Sequence, residues 1–118
     1  MAYRTWYQLN NNFSRVAMYL LGEIHDYTGL VDSSTVIYNL DRLMMDNKEE
    51  IRKHSNKPQA ELYEEEVSDL INRRQLRTTT IVQKKSGKTM TYFNIEDVIG
   101  AMTEMTVLAN NMLNCEED

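Results

Sequence analysis

One cysteine, one proline, two histidines and four glycines in 118 residues leave little material for most site chemistries. Cys115 has no second cysteine to pair with, so nothing argues for an oxidising compartment, and the cytoplasm is the expected location. Glu116, Glu117 and Asp118 follow it, and their negative charge disfavours the thiolate, so the thiol reads as inert. Long apolar runs are also missing. Val16 to Leu21 falls far short of the roughly 20 residues a membrane span needs. That stretch is preceded by polar Gln8 to Ser14 and followed by Glu23, unlike a signal peptide, so the Asn12-Phe13-Ser14 sequon has no secretory context. No membrane association is expected. With no repeat, linker or low-complexity tract, residues 1–118 are expected to form one domain, long enough to bury about two-thirds of its unfolded surface.

What is present is ordinary in bulk: 42% apolar residues, 26% charged, eight methionines and eleven asparagines. The methionines suit an adaptable core. The pattern predicts an α+β fold, a mainly helical bundle of four helices with one β-hairpin before the last. The first helix is expected over 12–27, with Phe13, Val16, Ala17, Leu20 and Ile24 on one face and Tyr3, Trp6 and Tyr7 as an aromatic cluster ahead of it. The second, over 33–53, is capped by Asp32 or Ser33 and buries Ile37, Leu40, Leu43, Met44 and Ile51. Asn47 interrupts that stripe, and Lys48 to Lys53 form a solvated tail. The third, over 58–75, opens on Pro58 and buries Tyr63, Val67, Leu70 and Ile71.

The period then changes. Thr78 to Gln83 and Thr89 to Phe93 are rich in β-formers, with Ser86-Gly87 as the turn, which predicts a hairpin over 78–93. The last helix, over 95–113, starts at Asn94 with Asp97 in a capping-box-like position. Ile95, Val98, Met102, Met105, Ala109 and Met112 recur at three and four, widened by Ile99, Leu108 and Leu113. This helix is either the central core helix or half of a homodimer seam, in which Val98, Met102, Met105 and Met112 would serve self-association.

No residue set points to catalysis, a metal or a cofactor. Ser86-Gly87-Lys88-Thr89 copies the end of a P-loop, but the phosphate cradle needs a glycine where Val82 stands and a helix where a strand is predicted. His25 and Glu23 are two apart and point to different helix faces, and His54 sits at a helix end, where a cation is favourable anyway. The acids at Glu49-Glu50, Glu64 to Glu66 and Glu96-Asp97 are adjacent rather than convergent, so an enzyme is not expected.

Charge is the one anomaly. From Leu70 to Phe93 there are six basic residues (Arg73, Arg74, Arg77, Lys84, Lys85 and Lys88) and no acid. The remainder holds 7 basic and 18 acidic residues, a net of −11 against −5 for the whole. Such a polarised chain suits a partner of opposite sign. Two alternatives stand beside that: lysines that keep open strand edges soluble, and arginines paired with the Glu64 to Asp69 turns of their own helix.

The stretch Gly29-Leu30-Val31-Asp32-Ser33-Ser34-Thr35-Val36, with Leu40 and Leu43 beyond, resembles the turn and recognition helix of winged helix-turn-helix regulators. The resemblance covers about fifteen residues and implies that the hairpin is the wing and that the partner is DNA. The helix so marked has no basic residue before Arg42, so phosphate contact would fall to the hairpin. The favoured expectation is a small non-catalytic protein-interaction module, a regulator, inhibitor or assembly adaptor whose style is similar to accessory proteins of phages and mobile elements. The alternative is a nucleic-acid-binding module that uses the same six basic residues as phosphate contacts.

Overall fold

The computed structural model describes the backbone of residues 2–24 and 28–114 and the side chains of 7–24 and 28–113. Within them the order is α1 (Ala2–Gly22), β1 (Leu30–Asp32), α2 (Ser33–His54), α3 (Lys57–Arg74), β2 (Thr78–Val82), β3 (Thr89–Asn94) and α4 (Ile95–Asn114). This is the expected α+β arrangement, with a third strand added.

Each helix begins where the local chemistry directs it. The Asp32 carboxylate accepts from the Ser34 and Thr35 amides at 2.9 and 3.3 Å and starts α2. Asn56 Oδ1 accepts from the Gln59 amide at 2.8 Å ahead of Lys57-Pro58, so the proline sits where its missing N–H is not needed. Gln75, in the left-handed region at φ 49°, ends α3. Asn94 Oδ1 accepts from the Glu96 amide at 2.9 Å and starts α4.

Helix α1 departs most from expectation. It starts ten residues before the predicted Asn12, because Leu9, which is fully buried, extends the stripe of Val16, Ala17 and Leu20 toward the N-terminus. It ends at Gly22, five residues before the predicted Tyr27, where the Glu23 amide closes onto the Leu20 carbonyl at 3.0 Å. The aromatic cluster is therefore helical backbone. Tyr7 is exposed, and the Tyr3 and Trp6 side chains lie outside the described residues, as do His25 and Cys115.

The core runs along one face of every helix and centres on α4, whose Val98, Met102, Met105 and Ala109 are fully buried. Burying a side chain of the Val or Met kind stabilises by about 1.5–3 kcal/mol before entropy is counted. Two expectations for α2 need correction. Ile37 is 60% exposed, because Val36, one position back, holds the stripe with Leu40, Leu43, Met44 and Ile51. Lys48 is not a solvated tail residue: its residue exposure is 7%, and its ammonium lies 3.5 Å from Glu61 and 3.2 Å from Glu64 on α3.

A line of polar groups crosses this core. Asn12 of α1 donates to Asn47 of α2 at 3.1 Å, Asn47 donates to the Tyr63 hydroxyl of α3 at 3.1 Å, and that hydroxyl donates to the Met105 carbonyl of α4 at 3.0 Å. Asn47 is thus no break in the apolar stripe but a node that joins α2 to α1 and α3 directly, and to α4 through the Tyr63 hydroxyl. Buried polar groups cost stability unless paired, and here each finds a partner.

The sheet order is β1-β3-β2, antiparallel throughout. Strand β1 opposes β3 with Val31 against Phe93, and the Ile95 amide reaches the Gly29 carbonyl at 2.7 Å, so the sheet is fastened to the starts of α2 and α4. Gly29 supplies the φ of 72° that the chain takes at this point, a conformation that residues with a Cβ rarely adopt. Strand β2 packs essentially on β3 alone and is exposed along its whole length. The molecule measures 59 × 23 × 17 Å. Helices of 20 or so residues account for about 30 Å of that length, so the hairpin continues outward from the end of the bundle.

Candidate partner-binding surface

The hairpin tip is built by its turn. The Gln83 amide donates to the Lys88 carbonyl at 2.9 Å, and the Gly87 amide returns to the Gln83 carbonyl at 2.8 Å, with Gly87 at φ 68°. The Ser86 hydroxyl donates to Gln83 Oε1 at 3.1 Å and accepts from the Lys88 amide at 3.2 Å. These bonds hold Lys84, Lys85 and Lys88 together at one end. All three are exposed, and none has an acid within ion-pair distance among the described residues. The P-loop-like tetrapeptide is thus a strand-to-strand turn, and Thr89 opens β3 rather than a helix.

The six basic residues separate into two groups. At the base of the hairpin, Arg77 makes a two-pronged contact with Asp97, each bond 3.0 Å, and Arg74 lies 3.8 Å from Glu104. The bond from Arg77 holds the Asp97 carboxyl below its ordinary value and raises the guanidinium in return. Both arginines therefore find their acids on α4, not in the Glu64 to Asp69 turns of α3 that sequence proximity suggests. Asp97, placed by the sequence in a capping box, turns to Arg77 instead. Arg73 stays exposed near Glu66 and Asp69, beside Leu70 and Leu108 at the edge of a shallow hollow, without an ion pair among the described residues. The three lysines at the tip and Arg73 are the cations left over.

The lysines also have a neighbour on the body. Lys88 acts through its charge on Asp32, whose carboxyl is lowered chiefly by the hydrogen bond from the Ser34 hydroxyl and then by the two amide bonds of the cap. Asp32 keeps its charge while it caps α2, so it attracts Lys88 from beyond ion-pair distance and leaves the three tip lysines in excess over it.

The backbone of β2 adds a second feature that residue types did not reveal. In an antiparallel pair, alternate residues turn their amide and carbonyl toward the partner strand. Gln83 bonds Lys88, and the register Val82–Thr89, Ile81–Met90, Thr80–Thr91 runs without a bulge. Thr79 and Ile81 therefore face β3 with their backbone groups, while Thr78, Thr80 and Val82 turn theirs outward at the sheet edge.

Val98, Met102, Met105 and Met112, considered for self-association, all lie in the core, which is the first of the two roles expected of α4. The exposed apolar residues are elsewhere, with Ile37 beside a groove of about 300 Å³ between α2 and α3, floored by Met105. His54 lies 3.5 Å from Glu50 at the end of α2. Among the described residues no group of three or more His, Cys, Asp or Glu could hold a metal ion, and no helix is long and apolar enough to cross a membrane. No protein-family model, no curated protein and no solved structure matches this chain.

Proposed function

We infer that the chain is a small non-catalytic protein-interaction module, a regulator, inhibitor or assembly adaptor, whose projecting hairpin docks on an acidic partner. The observation that carries this reading is the separation of the six cations: two are tied to α4, while Lys84, Lys85 and Lys88 stand together at the tip without an ion pair among the described residues. On a chain of net charge −5, that tip is a local reversal of sign, which steers encounter with an acidic surface and repels a basic one. The setting in this reading is the cytoplasm.

A second reading has its own support. Strand β1 gives the sheet the order β1-β3-β2 with α2 and α3 between β1 and β2, the arrangement of a winged helix with the hairpin as wing. Helix α3, which stands between the helix that the resemblance marks, α2, and the hairpin, however, carries Glu61, Glu64, Glu65, Glu66 and Asp69, which oppose a phosphate backbone. The protein partner therefore ranks first.

Binding to polyglutamate and to a 20-base-pair duplex, measured for the wild type and for Lys84→Glu/Lys85→Glu/Lys88→Glu, separates the two. A protein-docking hairpin binds the acidic polypeptide and loses it in the triple variant. Duplex binding that weakens with salt at a log–log slope of about −2.7, as three phosphate contacts give, without polypeptide binding, assigns the tip to nucleic acid.

A further inference from the structure

We propose that β2 is a docking edge which takes an extended acidic segment of another protein as a fourth strand, in the order β1-β3-β2-segment. This rests on the hairpin being the docking element and adds how it docks. Three observations converge. Strand β2 is the sheet edge, its five residues are all exposed, and Thr78, Thr80 and Val82 present amides and carbonyls outward. Second, Thr-Thr-Thr-Ile-Val has none of the devices that blunt an edge: no charge, no proline and no bulge within the strand. Third, the charges that are present flank it, at the tip, where they would meet the end of an added strand rather than prevent its pairing.

Charge selects the occupant. A second copy paired antiparallel through β2 would set each tip beside the base of the other hairpin, where the nearby acids Asp97 and Glu104 are already held by Arg77 and Arg74, so the tip lysines would meet no free carboxylate. An acidic segment supplies the carboxylates that a second copy lacks there. Its backbone pairs with Thr78, Thr80 and Val82, and its carboxylates reach Lys84, Lys85 and Lys88. Strand addition of this kind takes affinity from main-chain bonds and selectivity from the flanking side chains.

The test uses amide hydrogen exchange by NMR on the full chain, with the synthetic peptide acetyl-Glu-Asp-Glu-Thr-Val-Thr-Ile-amide as probe, whose acids lie at the tip when it pairs antiparallel to β2, and its lysine-for-acid counterpart as control. The acidic peptide is expected to slow exchange at Thr78, Thr80 and Val82 at least tenfold, with little change at Thr79 and Ile81, which already face β3. Thr80→Pro removes an outward amide without breaking a bond to β3, and is expected to weaken the peptide at least tenfold. If the lysine signals shift while the three outward amides stay unprotected, or if Thr80→Pro binds as the wild type does, strand addition is wrong and charge docking survives. Protection that arises without peptide and grows with protein concentration makes a second copy the occupant and overturns the proposal. A wild type that binds neither this peptide nor polyglutamate overturns the docking reading itself.

Discussion

Removing one oxygen from Tyr63 tests the logic of the core. Tyr63→Phe keeps the ring in its buried place but deletes the acceptor for Asn47 Nδ2 and the donor to the Met105 carbonyl. Because Asn47 is fully buried, water does not readily replace the lost acceptor. A stranded buried donor costs about 1–3 kcal/mol, so the variant is expected to lose about 2 kcal/mol. With a urea dependence of about 1.5 kcal/mol per molar, that is a midpoint about 1.3 M lower. Asn47→Leu strands the Asn12 amide instead and is expected to cost about the same. The double variant removes both partners of the central bond, so its loss should fall short of the sum by about 1 kcal/mol. Equilibrium urea unfolding followed by far-UV circular dichroism measures all four proteins. A Tyr63→Phe midpoint equal to the wild type, or strict additivity in the cycle, would refute the view that these groups act as one chain.

Three other outcomes follow from local geometry. Asp32→Ala removes the cap of α2 and should cost about 1 kcal/mol in urea unfolding, with Asp32→Asn close to the wild type. Gly100→Ala should stabilise by up to about 1 kcal/mol, since Gly100 is inside α4 and the nearest obstacle to a methyl group is the movable guanidinium of Arg74; a loss would mean that the Arg74 position is fixed. Burial raises the Tyr63 phenol well above its ordinary value of 10.0. The unfolded chain ionises first, so this contribution is whole below pH 10 and lost above it, and the urea midpoint should fall more steeply above pH 10 in the wild type than in Tyr63→Phe.

The parts of this fold that could be read from residues are those fixed by neighbours in the chain. Asp32, Asn94 and Pro58 mark helix starts within a residue or so of where they fall, and the 3–4 recurrence from Val98 to Met112 identifies the central helix. What escaped depends on residues far apart. Leu30-Val31-Asp32 is too short for a period, and its identity as a strand comes from Phe93, 62 positions later. Asn47 reads as a break in the apolar stripe and Lys48 as part of a solvated tail, while nothing marks Asn12 as buried, and only the packing of α1 and α3 on α2 supplies their partners. The site divides in the same way. The run of cations was visible as composition, but its partition was not, because the acids that claim Arg74 and Arg77 stand on α4 and arrive through the fold.

That partition has an energetic consequence for every experiment on the hairpin. No residue between Leu70 and Ile95 belongs to the buried core; Ile71, Leu76 and Phe93 only pack against it. The polar chain, the apolar stripes and the Lys48 contacts all lie among the helices. Truncating Lys84, Lys85 and Lys88 to alanine therefore removes no core contact and no ion pair among the described residues, and it relieves repulsion among three like charges at the tip. Surface changes of this sort usually fall within about 0.5 kcal/mol, and the sign here should be neutral to stabilising. The urea midpoint of the triple alanine variant should accordingly match or slightly exceed that of the wild type. A loss beyond about 1 kcal/mol would mean that the lysines serve the fold, and a binding defect in the same protein would then report on folding instead of contact. With stability unchanged, any lost affinity belongs to the surface that the lysines present.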